Sequence, residues 1–147
     1  MSPRGVYRVL SIAETITWTL LITALIVRAV TGFSLGVTVA GGIHGFVFLA
    51  YAATALLVAI NQRWSLGLTV GAVATAIVPF ATIPFDKWLE RRGRLEGVWL
   101  TERSEGETWL QRIVRWMLGH PVILAALMAL AVVAIFVVLL LAGPPGK

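Results

Sequence analysis

Cysteine is absent from all 147 residues, which excludes disulfides, thiolate metal sites and cysteine nucleophiles together. Charge is scarce too: 13% of residues are charged, against about 25% in an ordinary globular domain. Histidine occurs twice, and Asp and Glu together seven times. No Ser/His/Asp grouping, phosphate-binding glycine loop, paired-carboxylate motif or His/carboxylate cluster is present. Hydrolase, kinase and metalloenzyme readings therefore have no residues to rest on, and no cofactor is expected.

What the chain has instead is hydrophobic residues, 59% of the total. Such a chain folds by packing helices in lipid. Its net charge of +5 reads as topology and lipid contact, and nucleic acid is not an expected partner. Arg4 and Arg8 precede the first apolar run like the start of a signal peptide. The run continues to Val30, is interrupted at Glu14 and has no small-residue cleavage site after it, which indicates a retained helix. Four segments are long enough to cross a core of about 30 Å: residues 9–30, 35–60, 65–85 and 121–142. The expected fold is an all-α, polytopic bundle of four transmembrane helices. Gly41/Gly45, Gly67/Gly71 and Ala72/Ala76 stand four apart, a spacing that lets helices approach closely, and Pro79 is expected to bend the third span.

The polar segment divides the chain into a three-helix core (1–92), a loop (93–120) and a fourth helix with a short tail (121–147). Within the loop, Ser104 and Glu107 fit a capping box. Trp109, Ile113, Trp116 and Met117 then share one helical face, with Arg112 and Arg115 on another. Basic charge opposite an aromatic face is the pattern of an amphipathic helix lying in the headgroup region, so the lipid surface is an expected partner. With four spans, Arg28 and the seven basic residues of the polar segment 86–120 share one side. Arg4, Arg8, Arg63 and Lys147 share the other. The positive-inside rule puts the loop in the cytoplasm, although Arg4 and Arg8 before the first helix argue the opposite way. Arg28 and Asp86 then fall at one surface as a candidate pair.

Three stretches carry a family resemblance. They are Arg8-Val9-Leu10-Ser11-Ile12-Ala13-Glu14, the Gly41-Gly42-Ile43-His44-Gly45 run continuing through Phe46 and Phe48 to Tyr51, and Pro79-Phe80 followed by Phe85-Asp86-Lys87-Trp88-Leu89. Together they resemble the DUF3817 family of small bacterial integral membrane proteins over about residues 6–92. Thr15 and Arg28 depart from it, standing where Gly and Lys are usual. The resemblance implies a multi-pass protein of the bacterial plasma membrane and supplies no activity.

Glu14 and His44 are ionisable groups inside segments that otherwise read as lipid-spanning. A central charge costs about 2.5–3.5 kcal/mol on insertion scales, so each calls for a reason. Counted from Val9, Glu14 lies about 7–8 Å below one surface, and His44 about 13 Å below the other. That separates them by roughly 9–10 Å in depth. Glu14 is then expected beside Tyr51, Thr54 or Thr69, with Arg8 or Arg63 as cationic partners, and His44 beside Thr23, Thr75 or Pro79. His120 lies about 13 Å shallower than His44, which argues against a bis-histidine haem. The leading expectation is a non-enzymatic accessory or assembly subunit of a membrane complex, with a membrane-protein partner or a second copy of itself. The alternatives are proton- or ion-coupled transport at Glu14 and His44, with Tyr51 nearby, and a membrane-surface sensor built on the Arg112/Arg115 helix.

Overall fold

Ser2 caps the first helix, its hydroxyl accepting from the Gly5 N–H, and Pro3 occupies the first turn, where its missing N–H costs nothing. This start lies six residues before the apolar run. The computed structural model describes residues 2–143; Lys147 lies outside the described residues. Among the described residues the regular structure is entirely helical: α1 (Pro3–Thr31), α2 (Leu35–Asn61), α3 (Leu66–Thr75), α4 (Thr82–Arg91), α5 (Trp109–Leu118) and α6 (Pro121–Ala142). α1 ends at Gly32, whose left-handed φ of 76° lets its N–H close back onto the Arg28 carbonyl. Contacts from Tyr7 to Tyr51, Thr17 to His44 and Leu21 to Gly41 run in opposite order along the two chains, so α1 and α2 form an antiparallel hairpin.

Four spans are expected from the sequence; among the described residues three helices, α1, α2 and α6, are long and apolar enough to cross a membrane. In place of a continuous helix over residues 65–85 stand two ten-residue helices. Pro79 cannot donate to a helix and disfavours helical backbone at Val78, and Phe80 adopts a left-handed φ of 64°. The chain therefore reverses at residues 76–81. At the tip, the Trp18 indole N–H donates to the Ala76 carbonyl at 3.0 Å. α4 then runs back along α1: the Thr82 hydroxyl donates to the Ser11 carbonyl, Asp86 meets Arg8, and Glu90 meets Arg8 and Arg4. The α3–α4 hairpin thus begins and ends at the same end of the bundle, where α1 starts and α2 finishes.

Residues 92–108 fold over that end. The Trp64 indole donates to the Arg94 carbonyl, and the Asn61 amide bridges Leu100 N–H and the Val98 carbonyl. The capping box forms at Thr108 and Gln111, where Ser104 and Glu107 were the expected pair. Gly106, at a φ of 71°, breaks helical backbone between those two and delays the start of α5. The buried apolar cluster, including Tyr7, Tyr51, Val58, Ala72, Leu89 and Leu95, sits at this same end.

The glycine spacing is used unevenly. A Cβ on Gly45 would meet the Phe136 ring of α6 at 3.5 Å, and one on Gly41 would meet Leu21 at 3.9 Å. A Cβ on Gly71 would meet Phe85 at 4.0 Å, but one on Gly67 would meet nothing within 4 Å, so Gly67 is not at the close helix contact expected of it. Gly45→Leu should therefore cost about 1–3 kcal/mol by overpacking the α2–α6 contact, whereas Gly67→Ala should leave stability unchanged or slightly raised. Thermal unfolding of the two variants in detergent checks the contrast.

Candidate functional site

The buried side of α1 is polar. Tyr7, Ser11, Glu14 and Thr17, spaced four, three and three residues apart, lie on one helical face and are buried, while Val9, Ile12, Ile16 and Leu20 are exposed. This is the arrangement lipid demands, with apolar groups outward and polar groups against protein.

Glu14 is fully buried, and His44 Nδ1 lies 3.7 Å from its Oε2. Neither Glu14 oxygen has a hydrogen-bond partner. The Thr17 hydroxyl donates to the Glu14 backbone carbonyl at 3.0 Å and lies 3.1 Å from His44 Nδ1. Since a hydroxyl has one hydrogen, Thr17 is free to accept from a protonated Nδ1. The Trp18 ring covers the imidazole, with centroids 4.4 Å apart. The depth count that separated Glu14 from His44 is thereby overturned. Starting α1 at Pro3 lowers Glu14 by about 9 Å, so it lies about 16–17 Å from its surface and His44 about 13–14 Å from the other. Counted over about 30 Å the two helix positions come level, in agreement with the 3.7 Å approach.

Their expected neighbours are redistributed. The Tyr51 hydroxyl pairs with the Tyr7 hydroxyl at 2.6 Å, the Thr75 hydroxyl at 3.2 Å and the Ala72 carbonyl at 3.1 Å. Thr23 and Thr69 bond back to their own helices, and Pro79 lies in the hairpin turn. Arg63 reaches Ser104, while Arg8 binds Asp86 at 3.1 Å and also Glu90, so neither serves Glu14. Asp86 thus pairs with Arg8 and not with Arg28, which lies at the far end of α1. Its Oδ1 is buried without a partner. Tyr7, Thr17, Trp18 and the Arg8–Asp86–Glu90 cluster were missed by sequence reasoning. The Ser2-Pro3 helix start, which puts Tyr7 on the face of Glu14, is the signal that finds the first three.

On α5, Trp109, Ile113 and Trp116 are exposed together, whereas Gln111 and Val114 face the bundle. Arg112 is exposed, but Arg115 is held by two hydrogen bonds to Glu107, which keep that carboxyl below its ordinary range. Among the described residues no three His, Asp or Glu side chains gather to hold a metal ion.

A family model described as a domain of unknown function, DUF3817, matches residues 4–91. A protein of Streptomyces coelicolor, whose name assigns it provisionally to the membrane, is 38% identical over 88 residues. The match takes in 58% of this chain and 10% of that protein, so the chain spans about a tenth of the relative's length. No solved structure matches the chain.

Arg8→Ala should leave the buried Asp86 carboxylate unpaired and lower stability by about 2–4 kcal/mol. Asp86→Asn in the same background should recover part of the loss, as a double-mutant cycle in detergent unfolding checks.

Proposed function

The chain belongs to the DUF3817 family, and from that premise we propose that it is a non-enzymatic accessory or assembly subunit of a larger membrane complex in a bacterial plasma membrane. One observation carries the reading: in the Streptomyces coelicolor relative the matching segment is a tenth of a much longer chain. Covalent fusion makes association intramolecular, so a module joined to a large chain in one protein is suited to binding a comparable chain as a separate subunit. The outward faces leave room for such contacts. Only Val132 of α6 is buried, and the outer side of α1 exposes Val9, Ile12, Ile16 and Leu20, with the exposed hydroxyls of Thr19 and Thr23 bonded back to their own helix.

The membrane topology we propose is α1, α2 and α6 as spans and α3–α4 as a re-entrant hairpin. Irregular backbone at membrane depth is tolerated where protein shields it, and Trp18 supplies that shield at Ala76. The hairpin moves residues between surfaces. Of the eleven basic residues among the described residues, ten, all but Arg28, then belong with the N-terminal end of α1 and the long loop. The positive-inside rule assigns this surface to the cytoplasm, and the first helix and the loop no longer disagree. α5 lies along it, with Trp109 and Trp116 in the headgroups and Arg112 available to anionic lipid.

A second reading, proton- or ion-coupled function at Glu14 and His44, is favoured by their 3.7 Å approach and by the buried carboxylate without a hydrogen bond.

Purification in mild detergent followed by mass spectrometry should recover a second membrane protein in fixed stoichiometry; recovery of this chain alone sinks the accessory reading. The absence of cysteine gives a clean background for topology. Arg63→Cys and Arg91→Cys should react with an impermeant maleimide from the same side, and Phe33→Cys from the other. Labelling of the two arginine positions from opposite sides would mean that the α3–α4 hairpin crosses the membrane.

A further inference from the structure

We propose that Glu14 and His44 form a single proton-binding site at the middle of the membrane, reached from the surface bearing the start of α1 through Asp86, Tyr7 and Tyr51. The proposal deepens the second reading above by naming the proton as ligand and one surface as its source.

The site itself rests on Glu14. A carboxylate fully buried in a membrane helix, with neither oxygen hydrogen-bonded, is costly as an unpaired anion and so favours holding a proton. The group placed to share a proton with it is His44, 3.7 Å away, a gap that a small side-chain rotation closes to hydrogen-bond distance. A proton taken up by the carboxylate can pass to Nδ1, leaving carboxylate and imidazolium, and return. The pair stays neutral throughout. Thr17 accepts from Nδ1–H in the second state, which stabilises the charged ring without a further ion. Release of the proton to the surface leaves the pair with one negative charge.

Access is one-sided. Between the site and the start of α1, the inward face carries Ser11 and Tyr7, and α2 contributes Tyr51. The Tyr7 and Tyr51 hydroxyls are 2.6 Å apart, and Tyr51 continues to the Thr75 hydroxyl at 3.2 Å. Tyr7 precedes Glu14 on the same face of α1 and is followed by Arg8, the partner of Asp86, so the hydroxyl pair lies on the side of the site toward that buried carboxylate. Asp86 keeps one buried oxygen unpartnered at the end of this row while Arg8 holds the other. Toward the opposite surface the contacts are Leu21 with Gly41 and Ala24 with Gly36. The hydroxyls of Thr19, Thr23 and Thr31 there are spent on their own helix. The charged and titratable groups facing the route are Tyr7 and Arg8 from α1, Tyr51 from α2, and Asp86 and Glu90 from α4. α3 contributes the Thr75 hydroxyl, and α6 contains no ionisable residue.

The test uses the full chain reconstituted in zwitterionic-lipid vesicles, with orientation determined by labelling, and infrared difference spectroscopy of the protonated-carboxyl stretch. The expected result is a band that Glu14→Gln removes. In the unaltered protein it should follow the pH of the compartment facing the start of α1 and ignore the other. Tyr51→Phe should slow that response about tenfold, equivalent to losing one hydrogen bond of about 1.4 kcal/mol from the path. A band that survives Glu14→Gln, follows the opposite compartment, or responds to Na⁺ at fixed pH overturns the proposal, as does no response to pH at all. The sidedness measurement needs no variant, so a folding defect in Glu14→Gln cannot shelter the idea. Absence of net proton flux in the same vesicles would end the transport reading while the site could still stand.

Discussion

A helix in hydrocarbon cannot turn its polar side chains to water, and α1 carries four of them along one buried face. Covering Tyr7, Ser11, Glu14 and Thr17 is the requirement that the rest of the molecule meets. α2 supplies Tyr51 and His44, and the α3–α4 hairpin supplies Thr75 and Thr82. Around Glu14 the coverage is complete: each hydroxyl on this face has a bond. At Glu14 itself it stops short, because nothing hydrogen-bonds the carboxyl. That local deficit separates the Glu14–His44 pair from the structural polar contacts around it.

The same requirement explains why the hairpin is held where it is. Its three ties to α1 are graded by depth. The Trp18 indole takes the exposed carbonyl at the tip, Thr82 bonds the Ser11 carbonyl midway, and an ion cluster closes the base. Hydrogen bonds hold the tip and the middle, and the charges gather at the base, where Arg8 and Glu90 are partly exposed. Arg8 is only partly buried while its partner Asp86 is almost wholly so, which places the Arg8–Asp86 pair at the boundary between the two regimes.

Much of this was legible in the residues. The apolar runs identify α1, α2 and α6, and the polar gap between Asp86 and Pro121 contains α5 with its exposed tryptophans. Two local signals were misjudged. Ser2-Pro3 is a helix start that apolarity alone does not reveal, and without it Glu14 is displaced by six residues, about 9 Å, and separated from His44. Pro79 was read as a bend in a span, but with Phe80 in a left-handed conformation it reverses the chain. Hydropathy cannot distinguish a span from two half-length helices of similar composition; the distinction comes from tertiary partners such as Ala76 and Trp18. The ion cluster was hidden for the same reason, since Asp86 meets Arg8 only once α4 has turned back.

The hairpin also gives the molecule unequal ends. Near the start of α1 a plane through the bundle cuts five helices, α1, α2, α3, α4 and α6, whereas near Gly32 it cuts three. The bundle therefore tapers along its length, and whatever packs against its sides meets a broad, five-helix section at one end and a narrow, three-helix section at the other.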